Sequence, residues 1–71
     1  MSAARQFQVY EYAAHWQGWS WKLYATNIRN ARRDALTESR RMFRKLVESG
    51  EPIDHIPYPL GAHVSVTRHG S

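Results

Sequence analysis

The sequence predicts a small α+β domain in which an antiparallel sheet of three to four strands packs on one amphipathic helix, in the order β-β-(β)-α-β. Three observations carry this. Residues 19–26 alternate apolar and polar side chains with a period of two. Residues 34–49 repeat their apolar side chains at helical spacing. Glycine and proline punctuate the chain after the second of these stretches, at Gly50, Pro52, Pro57, Pro59 and Gly61. A length of 71 residues gives one domain, expected to span 1–71 with disordered ends at 1–5 and 69–71. A chain of this size buries roughly 60% of its unfolded surface, so its core is thin. Homo-oligomer formation would supply further burial.

The first strand is expected from Phe7 to Tyr12, a run of aromatic and β-branched residues that suits a pleated, half-buried surface. Phe7 and Val9 share one face, Tyr10 and Tyr12 the other. His15-Trp16-Gln17-Gly18 reads as a hairpin connection, with Gly18 free to adopt a positive φ. In the second strand Trp19, Trp21, Leu23 and Ala25 fall on one face and Ser20, Lys22, Tyr24 and Thr26 on the other. Residues 27–33 are open between a short third strand and an approach to the helix.

The helix is expected from Asp34, a good N-cap whose charge suits the N-terminal dipole, to Ser49. Ala35, Leu36, Met42, Phe43, Leu46 and Val47 then fill an arc of about 140°, with Ser39 inside it. An earlier start would bring Arg32 into that apolar arc. Gly50 is a C′ residue and Pro52 prevents resumption. Residues 51–61 form an extended loop, and His63–Arg68 alternate as a final strand.

Several function classes are disfavoured. The chain has no cysteine, so no disulfide and no thiolate metal ligand. His15, His55, His63 and His69 are scattered without metal-ligand spacing, and the six acids form no evident pair. No phosphate-binding glycine loop or nucleophile elbow occurs, so neither a cofactor nor enzymatic activity is expected. No apolar run approaches the ~20 residues that span a bilayer. Met1-Ser-Ala-Ala-Arg-Gln lacks the apolar stretch of a signal peptide, so a cytoplasmic location and no membrane partner are expected.

The net charge is +4, and it is unevenly placed. Residues 29–45 carry seven basic side chains against Asp34 and Glu38, a local sum of +5. On the expected helix Arg33, Thr37, Arg40 and Arg44 lie opposite the apolar arc, and Arg41 and Lys45 flank it. These cations either solvate the helix, helped by pairs such as Glu38 with Arg41, or contact phosphates or an acidic partner. Arg33, Arg40, Arg41, Arg44 and Lys45 are therefore the candidate nucleic-acid-binding residues. The aromatic side chains divide similarly. Trp19 and Trp21 are expected to fill the core against Leu36, Phe43 and Leu46. Tyr10, Tyr12, Trp16 and Tyr24 would form an exposed face for base stacking or a protein interface.

Gly18-Trp19-Ser20-Trp21, then Ala31-Arg32-Arg33, then a helix with Ala35, Leu36, Met42 and Leu46 resemble a HicB-like antitoxin domain over roughly residues 9–47, and more loosely 63–68. Asn27-Ile28-Arg29-Asn30 stands where that family usually has a Pro-Gly-containing stretch. The resemblance implies a partial RNase H-like fold without catalytic acids, oligomer formation, and binding to a small RNA-cleaving toxin. The strand-then-helix order also resembles the AP2-like arm-binding domain of integrases, whose sheet reads DNA. Together these point to a non-enzymatic regulatory module with a nucleic acid or a small toxin as partner. The alternative is a protein-interaction module of the phage- or mobile-element-inhibitor type, using the aromatic sheet face.

Overall fold

The structure, a computed structural model, describes residues 8–69. The expected disordered lead-in, Phe7 at the start of the first strand, and the last two residues lie outside these. The elements are β1 (Tyr10–Trp16), β2 (Trp19–Ala25), α1 (Ile28–Glu48), a single 3-10 turn (Gly61–His63) and β3 (Ser65–Arg68). β1 is central in a three-stranded antiparallel sheet of order β2-β1-β3, and α1 packs on one face of it. The expected α+β class is therefore correct, with three strands.

The hairpin is tighter than the sequence suggested. β1 runs on through His15 and Trp16, and only Gln17 and Gly18 form the turn, at φ values of 51° and 83°. Two consecutive positive φ angles match the right-handed twist of the flanking strands, which is why such two-residue turns close hairpins. The turn sets Trp16 opposite Trp19, Ala14 opposite Trp21, Tyr12 opposite Leu23 and Tyr10 opposite Ala25. All eight side chains share the helix-facing side, joined by Val66, which lies opposite Ala14 on β3. Glu11, Ala13, His15, Ser20, Lys22, Tyr24, Ser65 and Thr67 occupy the other side, on which no helix packs.

The helix starts six residues earlier than expected, and residues 27–33 are not a strand. Asn27 caps it: its Oδ1 accepts the backbone N–H of Asn30 at 2.8 Å, and Asn30 Nδ2 donates to Thr26 Oγ1 at 3.0 Å. One orphan helical N–H is thereby satisfied. Gly50, at φ 79°, ends the helix as expected. Its N–H donates to Val47 O, and the Glu51 N–H donates to Leu46 O, both at 3.1 Å. That pair of bonds is a Schellman closure.

The helix buries small side chains. Ala31, Ala35 and Ser39, spaced four apart, are wholly buried. Leu36, Met42, Phe43 and Leu46 are only half-buried, and Val47, expected in the apolar arc, is exposed. Small side chains bring the helix axis close to the sheet, and the sheet supplies the bulk. Tyr12 is 2% exposed and Trp16 1%. An aromatic side chain buries roughly 200 Å², about 5 kcal/mol of hydrophobic stabilisation at ~25 cal/mol per Å². Among the described residues the buried Trp16 indole N–H meets no acceptor, which costs about 1–3 kcal/mol, so burial of the ring outweighs it. Trp16 stacks on Trp19 across the hairpin end, with ring centroids 5.6 Å apart. Trp19 itself is 43% exposed and Trp21 half-buried, so the tryptophan expected to fill the core beside Trp21 is replaced there by Trp16.

The chain returns from the helix to β3 through residues 51–64, with Pro59 wholly buried. Beyond β3, where a frayed end was expected, His69 is held. Its N–H donates to Glu11 O at 2.9 Å, and its Nδ1 lies 3.1 Å from Glu11 Oε2.

Two substitutions test this packing by urea unfolding followed through tryptophan fluorescence. Ala35→Leu is expected to destabilise the domain by about 2 kcal/mol, because the added volume forces the helix off the sheet. Asn27→Ala is expected to cost about 1 kcal/mol through loss of the cap.

Candidate nucleic-acid interface

The early start of α1 changes the basic surface. At 100° per residue, Arg29, Arg33, Arg40 and Arg44 fall within about 60° of one another, on the side away from the sheet. From Arg29 to Arg44 the stripe runs about 22 Å at 1.5 Å per residue. Arg32 lies to one side of it, on the wall of a groove between α1 and β3 that is also lined by Leu36, Val64 and Val66. Arg41 and Lys45 lie to the other side. Sequence reasoning left Arg29 and Arg32 outside the helix. The signal that places them on it was the Asn27–Asn30 pair, spaced as an N-cap and its third helical residue.

The five basic residues singled out from the sequence are not equivalent. Arg41 donates twice to Glu38, from Nη2 to Oε2 at 2.9 Å and from Nε to Oε1 at 3.3 Å. The hydrogen bond to Glu38, and then its negative charge, hold the Arg41 guanidinium even more firmly protonated than usual. Arg33 Nε lies 3.8 Å from Asp34 Oδ1. Arg40 is half-buried. Its Nε donates to Pro59 O at 3.0 Å, and its guanidinium sits 5.1 Å from the centroid of the Tyr58 ring. Tyr58 in turn meets Phe43 edge-on, with centroids 5.4 Å apart at 88°. Arg40 therefore clamps the returning loop to the helix. Among the described residues, Arg29, Arg32, Arg44 and Lys45 have no carboxylate within ion-pair distance.

The expected aromatic face does not form. Tyr12 and Trp16 belong to the core, because the two-residue turn puts both on the helix side of the sheet. Tyr10 shares that side and is half-buried, with the Arg68 guanidinium 3.8 Å from its ring centroid and its hydroxyl donating to Gln8 Oε1 at 3.1 Å. Only Tyr24, 61% exposed, stands free, and it projects from the opposite side of the sheet. The aromatic residue that does accompany the cations is Tyr58, which the sequence reading left in the loop.

The open sheet face is polar. Glu11 lies between Lys22, at 3.9 Å, and His69, and Ala13 floors a shallow depression beside them. Among the described residues, no three His, Cys, Asp or Glu side chains converge as metal ligands. No helix among them is long and apolar enough to cross a membrane. The edge of β2, which pairs with no further strand among the described residues, borders an apolar groove lined by Trp19, Trp21, Leu23 and Met42, with Asp34 and Glu38 beside it.

The division among the arginines is testable by thermal or urea unfolding. Arg40→Ala is expected to destabilise the fold by about 1–2 kcal/mol, since it removes a charged hydrogen bond and a cation–π contact. Arg44→Ala is expected to change stability by no more than about 0.5 kcal/mol. Comparison with protein-family models, curated proteins and solved structures gave no match.

Proposed function

We propose that the chain is a small non-enzymatic regulatory module of the cytoplasm that binds nucleic acid through the outer face of α1. One observation carries this reading: Arg29, Arg32, Arg44 and Lys45 share a helix with three further arginines, and no carboxylate among the described residues neutralises any of these four. A solvated helix alone needs no such accumulation, because alternating signs would solvate it equally and add i,i+4 pairing. Seven cations on one helix attract a polyanion strongly and release its counterions on binding. The phosphate-contacting set is then Arg29, Arg33 and Arg44 on the outer face with Arg32 and Lys45 at its flanks; Arg41 is held by Glu38, and Arg40 is anchored through Nε with its Nη groups uncommitted within the described residues.

A protein partner is the second reading, and the free β2 edge favours it. A seven-residue strand whose outer edge pairs with no strand among the described residues, set beside an apolar groove, is suited to accept an added strand. The resemblance to HicB-like domains makes a small toxin the partner to test there.

Fluorescence anisotropy with labelled nucleic acid at low and high salt tests the leading reading. Binding is expected to weaken steeply with salt, by a slope of about −0.9 per phosphate contact on a duplex. The double charge reversal Arg29→Glu with Arg44→Glu is expected to reduce affinity at least tenfold and flatten the slope, with an unchanged tryptophan emission spectrum. Absence of binding at low salt would remove the nucleic-acid reading and leave the β2 edge as the surface to pursue.

A further inference from the structure

We infer that the cleft formed by Thr37, Arg40, Arg41, Arg44 and Tyr58 is a nucleotide subsite that stacks one unpaired base on Tyr58 and holds the adjoining phosphate between Arg40 and Arg44, so that the protein prefers single strands to duplexes. This rests on the nucleic-acid reading of α1 and gives it a strand preference.

The cleft has a volume of about 310 Å³ and lies on the outer side of the helix, in line with the free cations. Tyr58 is 51% exposed although its ring is already fixed, by its perpendicular contact with Phe43 and by the Arg40 guanidinium over it. A half-exposed, immobilised aromatic ring loses little conformational freedom when a second flat group stacks on it. Arg40 is fixed in the same way. Its Nε is committed to Pro59 O, and neither Nη group makes a hydrogen bond within the described residues. The guanidinium is therefore fixed in position with its Nη donors uncommitted within the described residues, which suits a phosphate. Arg44 follows one turn later with no acidic partner among the described residues, close enough to share that phosphate.

The combination selects among anions. A phosphate alone would use the arginines and leave Tyr58 idle. A duplex offers phosphates but keeps its base faces inside the stack. A single strand offers both, and stacking on an aromatic side chain strengthens binding by roughly 5- to 150-fold per base.

The test compares four labelled probes by anisotropy on the intact protein: a short single strand, an abasic strand of the same length, the corresponding duplex, and a phosphorylated peptide of matched charge. The base-bearing strand is expected to bind at least about tenfold more tightly than the abasic strand or the duplex. Tyr58→Ala is expected to abolish that difference, and Tyr58→Phe to retain it. Equal affinity of the wild-type protein for base-bearing and abasic strands would overturn the subsite and leave the helix-face reading intact. Preference for the phosphorylated peptide would overturn it in favour of a protein ligand. Failure to bind any probe with salt sensitivity would overturn both readings. The abasic comparison needs no substitution, so it decides the matter even if Tyr58→Ala loosens the loop.

Discussion

The two-residue turn at Gln17-Gly18 fixes which side chains the sheet offers to the helix. Because both residues take positive φ, Trp16 faces Trp19 directly, and every even-numbered residue of β1 pairs with an odd-numbered residue of β2. A turn one residue longer would shift one strand by one position and send its aromatic set to the opposite face. With the observed register, Tyr12, Ala14 and Trp16 reach the helix side together, and a polar set of Glu11, His15, Ser20 and Lys22 is left outside. Everything that packs on the sheet depends on that assignment.

The helix answers a bulky sheet with a small surface. Ala31, Ala35 and Ser39 give the close approach that lets Tyr12 and Trp16 be covered by a single helix. The Ser39 hydroxyl is satisfied within the helix by donating to Leu36 O at 2.8 Å, so the stripe carries no unpaired polar group of its own. Larger half-buried residues on either side (Leu36, Met42, Phe43, Leu46) close the margins, and Phe43 extends the contact to the returning loop through Tyr58. The same loop is held by Arg40. One cationic residue of the helix is thus part of the scaffold, one is bound to Glu38 and one lies beside Asp34; among the described residues Arg29 and Arg44 stay unneutralised on the outer side, flanked by Arg32 and Lys45.

This division explains why composition alone overstates the uniformity of a basic helix. Seven cations within seventeen positions look interchangeable in the sequence. In the fold their surroundings differ, from an Arg44 guanidinium in water to an Arg40 guanidinium seated between a carbonyl and a ring. An exposed ion pair such as Arg33–Asp34 is worth little against solvent screening and releases its cation readily to a phosphate. The bidentate Arg41–Glu38 pair is better ordered and releases it less readily.

Local and periodic signals were legible without the fold. The alternation of residues 19–26 determined β2, Gly50 determined the end of the helix, and the distribution of charge determined that one segment is basic. These properties are written in neighbouring residues and survive any tertiary arrangement. The start of the helix was also written locally, in Asn27 and Asn30, but competed with Asp34, an equally good cap by residue type. Only packing decided between them: helix begun at Ile28 brings Ala31 and Ala35 onto the sheet, and Arg32 escapes burial because an open groove beside β3 leaves it in solvent. Tyr12 and Trp16 in the core, Trp19 at the surface and Tyr58 beside Arg40 were likewise decided by tertiary structure. Each depends on strand register or on a contact across nearly twenty residues of chain, which no local pattern encodes.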